Sequence, residues 1–533
     1  MRKHAWVLTA AVAVAGALVV GGTVPAGAGA NDEQGTGPSE LLDALAEIED
    51  KPRYEQADWG YVVLDEKTGK VLAAQNDKKM FDPGSTMKSY SIATALRLYG
   101  PDYTFHTPVY REGNVAGDTL EGNLVLVASG DMSLGLREQP DGTMYFENLP
   151  EVDQSYANLE LGNAVEPPGN PLAGLDQLAA AVRAAGITRV DGDVVIDDRL
   201  FTPYSEWPDG LISPMWVNEN LIDVEVTAGA VGQAATIDYR PVTAAYTVES
   251  QVQTVAKDTK NPASLTITQT APGRLVITGD ITEGSIPQLR VYEVDDPSSF
   301  ARTAFIEALQ GAGVTVSASS TGPNPTALLP AEGSYQPDEM LGEHVSADLA
   351  QFANLIMKVS YNRGADLMAC LSAVKIGSKD CLDGVAEEVK TVTGFGIPKN
   401  GVFPQDGAGS DDQGRSTPLA MAQFYRKVRS TDYGDAFFES LPVLGRSGTA
   451  ANVLEKSPAA GKVNTKTGNR VVGTPAGQGI VLGNSFAGYI KAKSGRKLTF
   501  MIAVGNVPIA STPEFFEVSD DQAEMIAEIQ QHY

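Results

Sequence analysis

The stretch F-D-P-G-S-T-M-K-S-Y-S-I-A-T-A-L-R-L-Y-G-P runs from Phe81 to Pro101. Pro83 and Gly84 stand before a helix predicted to start near Ser85, and Gly100-Pro101 ends it. Ser85 and Lys88 are then three residues apart on one helical face. A serine at a helix N-terminus lies where backbone N–H groups and the dipole favour a developing oxyanion. A buried lysine held neutral can take its proton, which makes the pair a candidate nucleophile and base. The spacing alone is weak evidence, because ordinary Ser and Lys frequencies give about one such pair in a chain of this size. Ser372 and Lys375 repeat it without supporting context.

Working outward, W-G-Y-V-V-L-D and K-V-L-A-A-Q-N flank D-E-K-T-G-K in a hairpin signature, and a helical pattern, Leu41 to Ile48, precedes them. The far end repeats this texture: N-S-F-A-G-Y-I-K-A and L-T-F-M-I-A-V read as strands, and an amphipathic helix near Ser519 to Gln530 follows. Strands and helices at both ends imply one α/β domain, from residues 31–102 and 338–533, interrupted by β-rich insertions over 103–337. Within the insertions, L-A-A-A-V-R-A-A-G-I-T-R-V and T-A-F-I-E-A-L-Q-G-A-G-V-T-V echo one another as helix, glycine, strand.

The first 30 residues, with Arg2 and Lys3 ahead of an apolar run and small residues at its end, read as a secretory signal peptide cut after Ala28 or Ala30. No later stretch is apolar enough to anchor the chain in a membrane. The formal charge of -27 becomes -29 without Arg2 and Lys3, which argues against nucleic-acid or anionic-lipid partners. A chain this long exceeds one core, so two or three domains are expected. Cys370 and Cys381 are the only cysteines. In an exported protein they suggest a local disulfide, with two buried thiols as the alternative.

A Ser-His-Asp site finds little support: after the leader only His106, His344 and His532 remain, and no G-x-S-x-G elbow occurs. Histidines and cysteines at zinc-ligand spacing are lacking too, and no cofactor is expected. Lys-Thr-Gly occurs at Lys67–Gly69 and Lys466–Gly468, and Lys-Ser-Gly at Lys493–Gly495. The first and third sit between hairpin strands and read as turns. The second follows Ser85-Thr86-Met87-Lys88 and Ser360-Tyr361-Asn362 in that order.

That ordered trio resembles the penicillin-recognising serine enzymes, which combine Ser-x-x-Lys, Ser-x-Asn and Lys-Thr-Gly. The segments between the motifs are similar to one branch, the class C low-mass penicillin-binding proteins of peptidase family S13, D-alanyl-D-alanine carboxypeptidase/endopeptidases. These are P-G-S-T-M-K, V-A-S-G-D-M-S-L, V-V-I-D-D-R-L-F, W-V-N-E-N-L-I-D-V-E-V, F-P-Q-D-G-A-G-S and L-P-V-L-G-R-S-G-T. The resemblance implies an α+β fold, a serine β-lactamase/transpeptidase-like domain with an antiparallel sheet and helices, carrying two smaller β-rich insertions. It implies cleavage of a terminal D-Ala-D-Ala bond or a peptidoglycan cross-link through an acyl-serine, with stem peptides as substrates and β-lactams as covalent inhibitors.

Residue by residue, the resemblance makes Ser85 the nucleophile and Lys88 its base. Ser360, linked to Lys88 and Lys466, relays a proton to the leaving nitrogen. Asn362 holds the substrate amide. Lys466 supplies positive field that keeps Lys88 neutral, Thr467 binds the substrate carboxylate, and Gly468 keeps the strand clear. The backbone N–H groups of Ser85 and Asn469 form the oxyanion hole. Four positions depart from the family pattern: Met132, Glu219, Ala408 and, beside the site, Asn469 in place of the usual Thr. The longer connection after Asn469 is open between a flap and a surface loop. Two rival functions are a β-lactamase-like hydrolase, for which no water-activating motif is found, and a non-catalytic wall-binding protein.

Overall fold

The structure is a computed structural model that describes residues 35–159 and 163–533. The expected signal peptide, residues 1–30, lies outside the described residues. A six-stranded antiparallel sheet draws on both ends of the chain, in the order Val71–Gln75, Asp58–Asp65, Lys497–Gly505, Gly479–Lys491, Val463–Gly473, with Val507–Ile509 paired to Gly479–Lys491. Alternation along the strands fills two cores, because successive side chains point to opposite faces. From Lys497–Gly505, Phe500, Ile502 and Val504 pack with Leu45 of helix Ser39–Glu49 and with Met525 and Ile529 of helix Thr512–His532. Met501 and Ala503 face the other way, toward Ile92, Leu371 and Phe424 on helices Lys88–Tyr99, Asn362–Lys375 and Pro418–Val428. Burying each such side chain contributes roughly 1.5–3 kcal/mol, so this double-sided burial is what holds the two distant chain segments together.

Residues between these segments are β-rich. One sheet runs Thr315–Val316, Arg189–Val190, Thr119–Val127, Thr104–Ala116, Met340–Asp348, its last strand lying past residue 338. The two echoing segments form helices Ala173–Ala184 and Pro297–Gly311, and the strands that follow them pair in parallel. Two three-stranded and two two-stranded sheets are also described in the region. Cys370 and Cys381 are joined in a disulfide that ties helix Asn362–Lys375 to helix Cys381–Gly394. Lys67–Gly69 and Lys493–Gly495 are turns between neighbouring strands, as the sequence predicts. The connection after Asn469 is a continued hairpin: Arg470 to Gly473 stay paired with Gly483 to Gly479, and the tip lines a cleft.

Candidate active site

Ser85 sits in a single 3-10 turn, Gly84–Met87, that leads into helix Lys88–Tyr99. Gly84 has φ +49°, where a side chain is strained, and a Cβ there would stand 2.5 Å from Asn469 N. From the opposite side, a Cβ on Gly468 would stand 2.1 Å from Pro83 O and 2.8 Å from Ser85 N. The Ser85 turn and the Lys466 strand therefore press backbone to backbone. Ser85 and Asn469 both line a cleft of about 1330 Å³.

Lys88 is fully buried under this turn. Its Nζ donates to Ser85 Oγ at 2.7 Å, Asn362 Oδ1 at 2.6 Å and Ala408 O at 2.8 Å. An ammonium has three donors, so the set is complete. When Lys88 is neutral, two N–H groups remain for the two carbonyl oxygens, and its lone pair is left facing the serine hydroxyl. That is the geometry of a general base.

Ser360 closes helix Leu349–Val359 in the left-handed region, at φ 64°, which turns its hydroxyl into the cleft. Lys466 Nζ, also fully buried, donates to Ser360 Oγ at 2.8 Å and to Thr467 O at 2.8 Å. The direct Lys88–Ser360 link implied by the resemblance is not formed, because all three donors of Lys88 are engaged elsewhere. Asn362 also differs from its implied role. Its Oδ1 accepts from Lys88 and, at 3.0 Å, from Tyr156 Oη, while its Nδ2 donates to Asp209 Oδ1 at 2.7 Å. In the free site both lone pairs of its carbonyl oxygen and one of its two Nδ2 hydrogens are used, which leaves one N–H for a substrate carbonyl.

Burial pulls the Lys88 ammonium down to about 8, while the carboxyls of Asp209, Asp366 and Asp406 pull the other way and Arg470 adds to the depression. Burial drives Lys466 well below its ordinary range, and the charge on Lys88 lowers it further. Burial and then Asp406 hold the Asp366 carboxyl well above the usual range. Carboxylates favour a proton on Lys88, and charge on Lys88 and charge on Lys466 oppose one another.

The cleft wall also contains residues that no motif announces. Tyr156 and Asp209 come from the inserted region, and Tyr156 donates to Ser360 O as well. Thr449 Oγ1 lies 3.0 Å from Thr467 Oγ1. Ala408 acts through its backbone carbonyl. Asn469 is exposed.

The other sequence candidates lie elsewhere. Lys375 is over the Tyr99 ring at 4.8 Å and Ser372 is buried. His344 pairs with Asp131 at 2.8 Å and His106 with Glu343 at 2.9 Å, both on the sheet of the inserted region. No group of His, Cys, Asp and Glu able to hold a metal occurs among the described residues.

This lysine-serine geometry accompanies a match over residues 41–528 to the family described as "D-Ala-D-Ala carboxypeptidase 3 (S13) family". The chain belongs to the S13 family. The resemblance drawn from the ordered motifs is to this same family. A D-alanyl-D-alanine carboxypeptidase of Actinomadura sp. (strain R39) is 27% identical over 478 residues, covering 85% of this chain and 80% of the relative. Penicillin binding protein 4 (dacB) from Haemophilus influenzae superposes with a TM-score of 0.70 at 18% identity, over 91% of this chain and 99% of that one. The same protein complexed with a β-lactam gives 0.67 at 18% identity, over 92% and 99%. At that identity the likeness is one of fold, and it is the α+β fold expected from the motifs.

Proposed function

We propose that this S13 enzyme is an exported serine D,D-peptidase that cleaves peptidoglycan stem peptides at D-Ala-D-Ala or at a cross-link, and that β-lactams acylate it. The observation that carries the reading is the 2.7 Å contact between Lys88 Nζ and Ser85 Oγ, with the other two Lys88 donors committed to carbonyl oxygens. Family membership and the relative from Actinomadura support it.

In this mechanism Lys88 has lost its proton and Lys466 keeps one, and a substrate carboxylate lodged at Thr467 stabilises that distribution of charge. Ser85 Oγ then attacks the carbonyl carbon while its proton passes to neutral Lys88 Nζ. The N–H groups of Ser85 and Asn469 hold the oxyanion. As the C–N bond breaks, Ser360 gives its proton to the leaving nitrogen and takes one from Lys466, its hydrogen-bond partner. Water next attacks the ester, and its proton returns to Lys466 through Ser360. Lys88 returns a proton to Ser85, so both lysines end as they began. We take residues 31–102 and 338–533 as the catalytic domain, with its strand Met340–Asp348 pairing into the sheet of the insertions, and 103–337 as insertions that contribute Tyr156 and Asp209 to the cleft.

The test is adduct lifetime with fluorescent penicillin, beside Ser85→Ala. A long-lived adduct absent from the variant supports the peptidase. Rapid turnover points to a β-lactamase-like hydrolase, and failure to label leaves only a non-catalytic wall-binding role.

A further inference from the structure

Arg470, the residue after Asn469, commits four of its five guanidinium N–H groups to backbone and side chains that carry other parts of the site. Its Nε donates to Asp82 Oδ2 at 2.6 Å, and Asp82 Oδ1 accepts from Gly84 N at 3.0 Å, inside the nucleophile turn. Its Nη1 donates to Ser410 O at 2.5 Å, and its Nη2 to Gly409 O at 2.8 Å and Asp411 O at 2.9 Å. These three carbonyls directly follow Ala408, whose own carbonyl receives Lys88 at 2.8 Å. The loop's N–H groups turn the opposite way: Asp406 accepts from Gly409 N, from Ser410 N at 2.9 Å and from Asp411 N at 2.6 Å. A buried carboxylate thus gathers the N–H groups of the loop and a guanidinium gathers its carbonyls. The Arg470 side chain is 14% exposed and that of Asp82 4%, so the pair works with little competition from water.

We infer that Arg470 is a positioning residue for the serine-lysine dyad. It clamps the Lys466 strand to the turn that carries Ser85 and to the loop whose Ala408 carbonyl orients Lys88. The fork is specific to arginine, because a lysine brings the charge but not the planar set of donors needed for one carboxylate and three carbonyls at once. Its charge also reaches the base. Lys88 is faced by the carboxyls of Asp209, Asp366 and Asp406, by Lys466, by Arg470 and, through Asn362, by the Tyr156 hydroxyl. Among these, Arg470 is a cation that favours neutral Lys88 and has carboxylate and carbonyl partners of its own to keep it charged.

The inference rests on Ser85 being the nucleophile proposed above, and the experiment separates the two. Full-length wild type, Arg470→Met, Arg470→Lys and Ser85→Ala are labelled with fluorescent penicillin from pH 6 to pH 10, with circular dichroism and melting followed in parallel. If wild type does not label, the functional reading fails. If it labels, Arg470→Met is expected to acylate at least about tenfold more slowly at pH 8, with the rising limb of its pH–rate profile displaced to higher pH, because Lys88 then keeps its proton longer. Arg470→Lys is expected to be slowed while retaining the wild-type limb. Arg470→Met within twofold of wild type in rate and limb overturns the inference. Equal slowing of both variants with an unmoved limb and lowered melting also overturns it, because that outcome assigns Arg470 to stability alone.

Discussion

Acylation by the S13 enzyme should titrate with Lys88. The perturbation is pH alone, and the magnitude comes from an ammonium held near about 8 by burial against the pull of nearby carboxyls. About one Lys88 in ten is then neutral at pH 7, half at pH 8 and about nine in ten at pH 9, so kcat/KM or the second-order acylation constant rises about ninetyfold from pH 6 to pH 9. Stopped-flow labelling with a fluorescent penicillin measures this directly in free enzyme. A rate that stays level across pH 6–9, or that inflects only near the ordinary lysine range, refutes the assignment of Lys88 as the base.

The same shift has a stability consequence of fixed sign. Lys88 binds its proton more weakly folded than unfolded, so charging it opposes folding. The penalty, about 3 kcal/mol for a depression from 10.5 to about 8, is fully present below pH 8. It fades as pH rises from 8 to 10.5. In the difference between wild type and Lys88→Met, wild type should gain stability over that interval.

Lys466→Ala should slow acylation about a hundredfold or more while leaving the circular dichroism spectrum intact, since it strips Ser360 of its donor; unchanged turnover of a D-Ala-D-Ala peptide would mean that the wrong Lys-Thr-Gly had been chosen. Gly468→Ala puts a Cβ 2.1 Å from Pro83 O and should cost at least a hundredfold in acylation and lower the melting temperature, as about one lost oxyanion donor does; labelling at the wild-type rate contradicts the seating of that strand. Reduction of Cys370–Cys381, separated by 11 residues, should lower stability by about 3 kcal/mol on a chain-entropy account; a melting midpoint indifferent to reductant removes any structural role for the bond.

The parts of the site legible in the sequence are those whose chemistry travels with local spacing. Ser85 and Lys88 share one turn, so their contact follows from periodicity before any tertiary structure is known. The two-ended sheet was legible too, because strands followed or preceded by helices recur at both ends of the chain, and Asp58–Asp65 does pair with Lys497–Gly505. What escaped was made by long-range packing. Ala408 serves through a carbonyl that no side-chain pattern records, and Asp209 reaches Asn362 across 153 residues of chain.

Lys466 shows why a motif needs its fold. In composition it does not differ from Lys67 or Lys493, which are exposed at hairpin turns. Its difference lies in the neighbouring backbone, where Gly468 allows the strand to close on Pro83 and Ser85. That closure removes water from the Lys466 ammonium and leaves Ser360 and a backbone carbonyl as its partners. On the solvated turns the lysine side chain stays exposed. Here the loss of water lowers its hold on the proton, so the charge on Lys466 is one that a substrate carboxylate at Thr467 would stabilise.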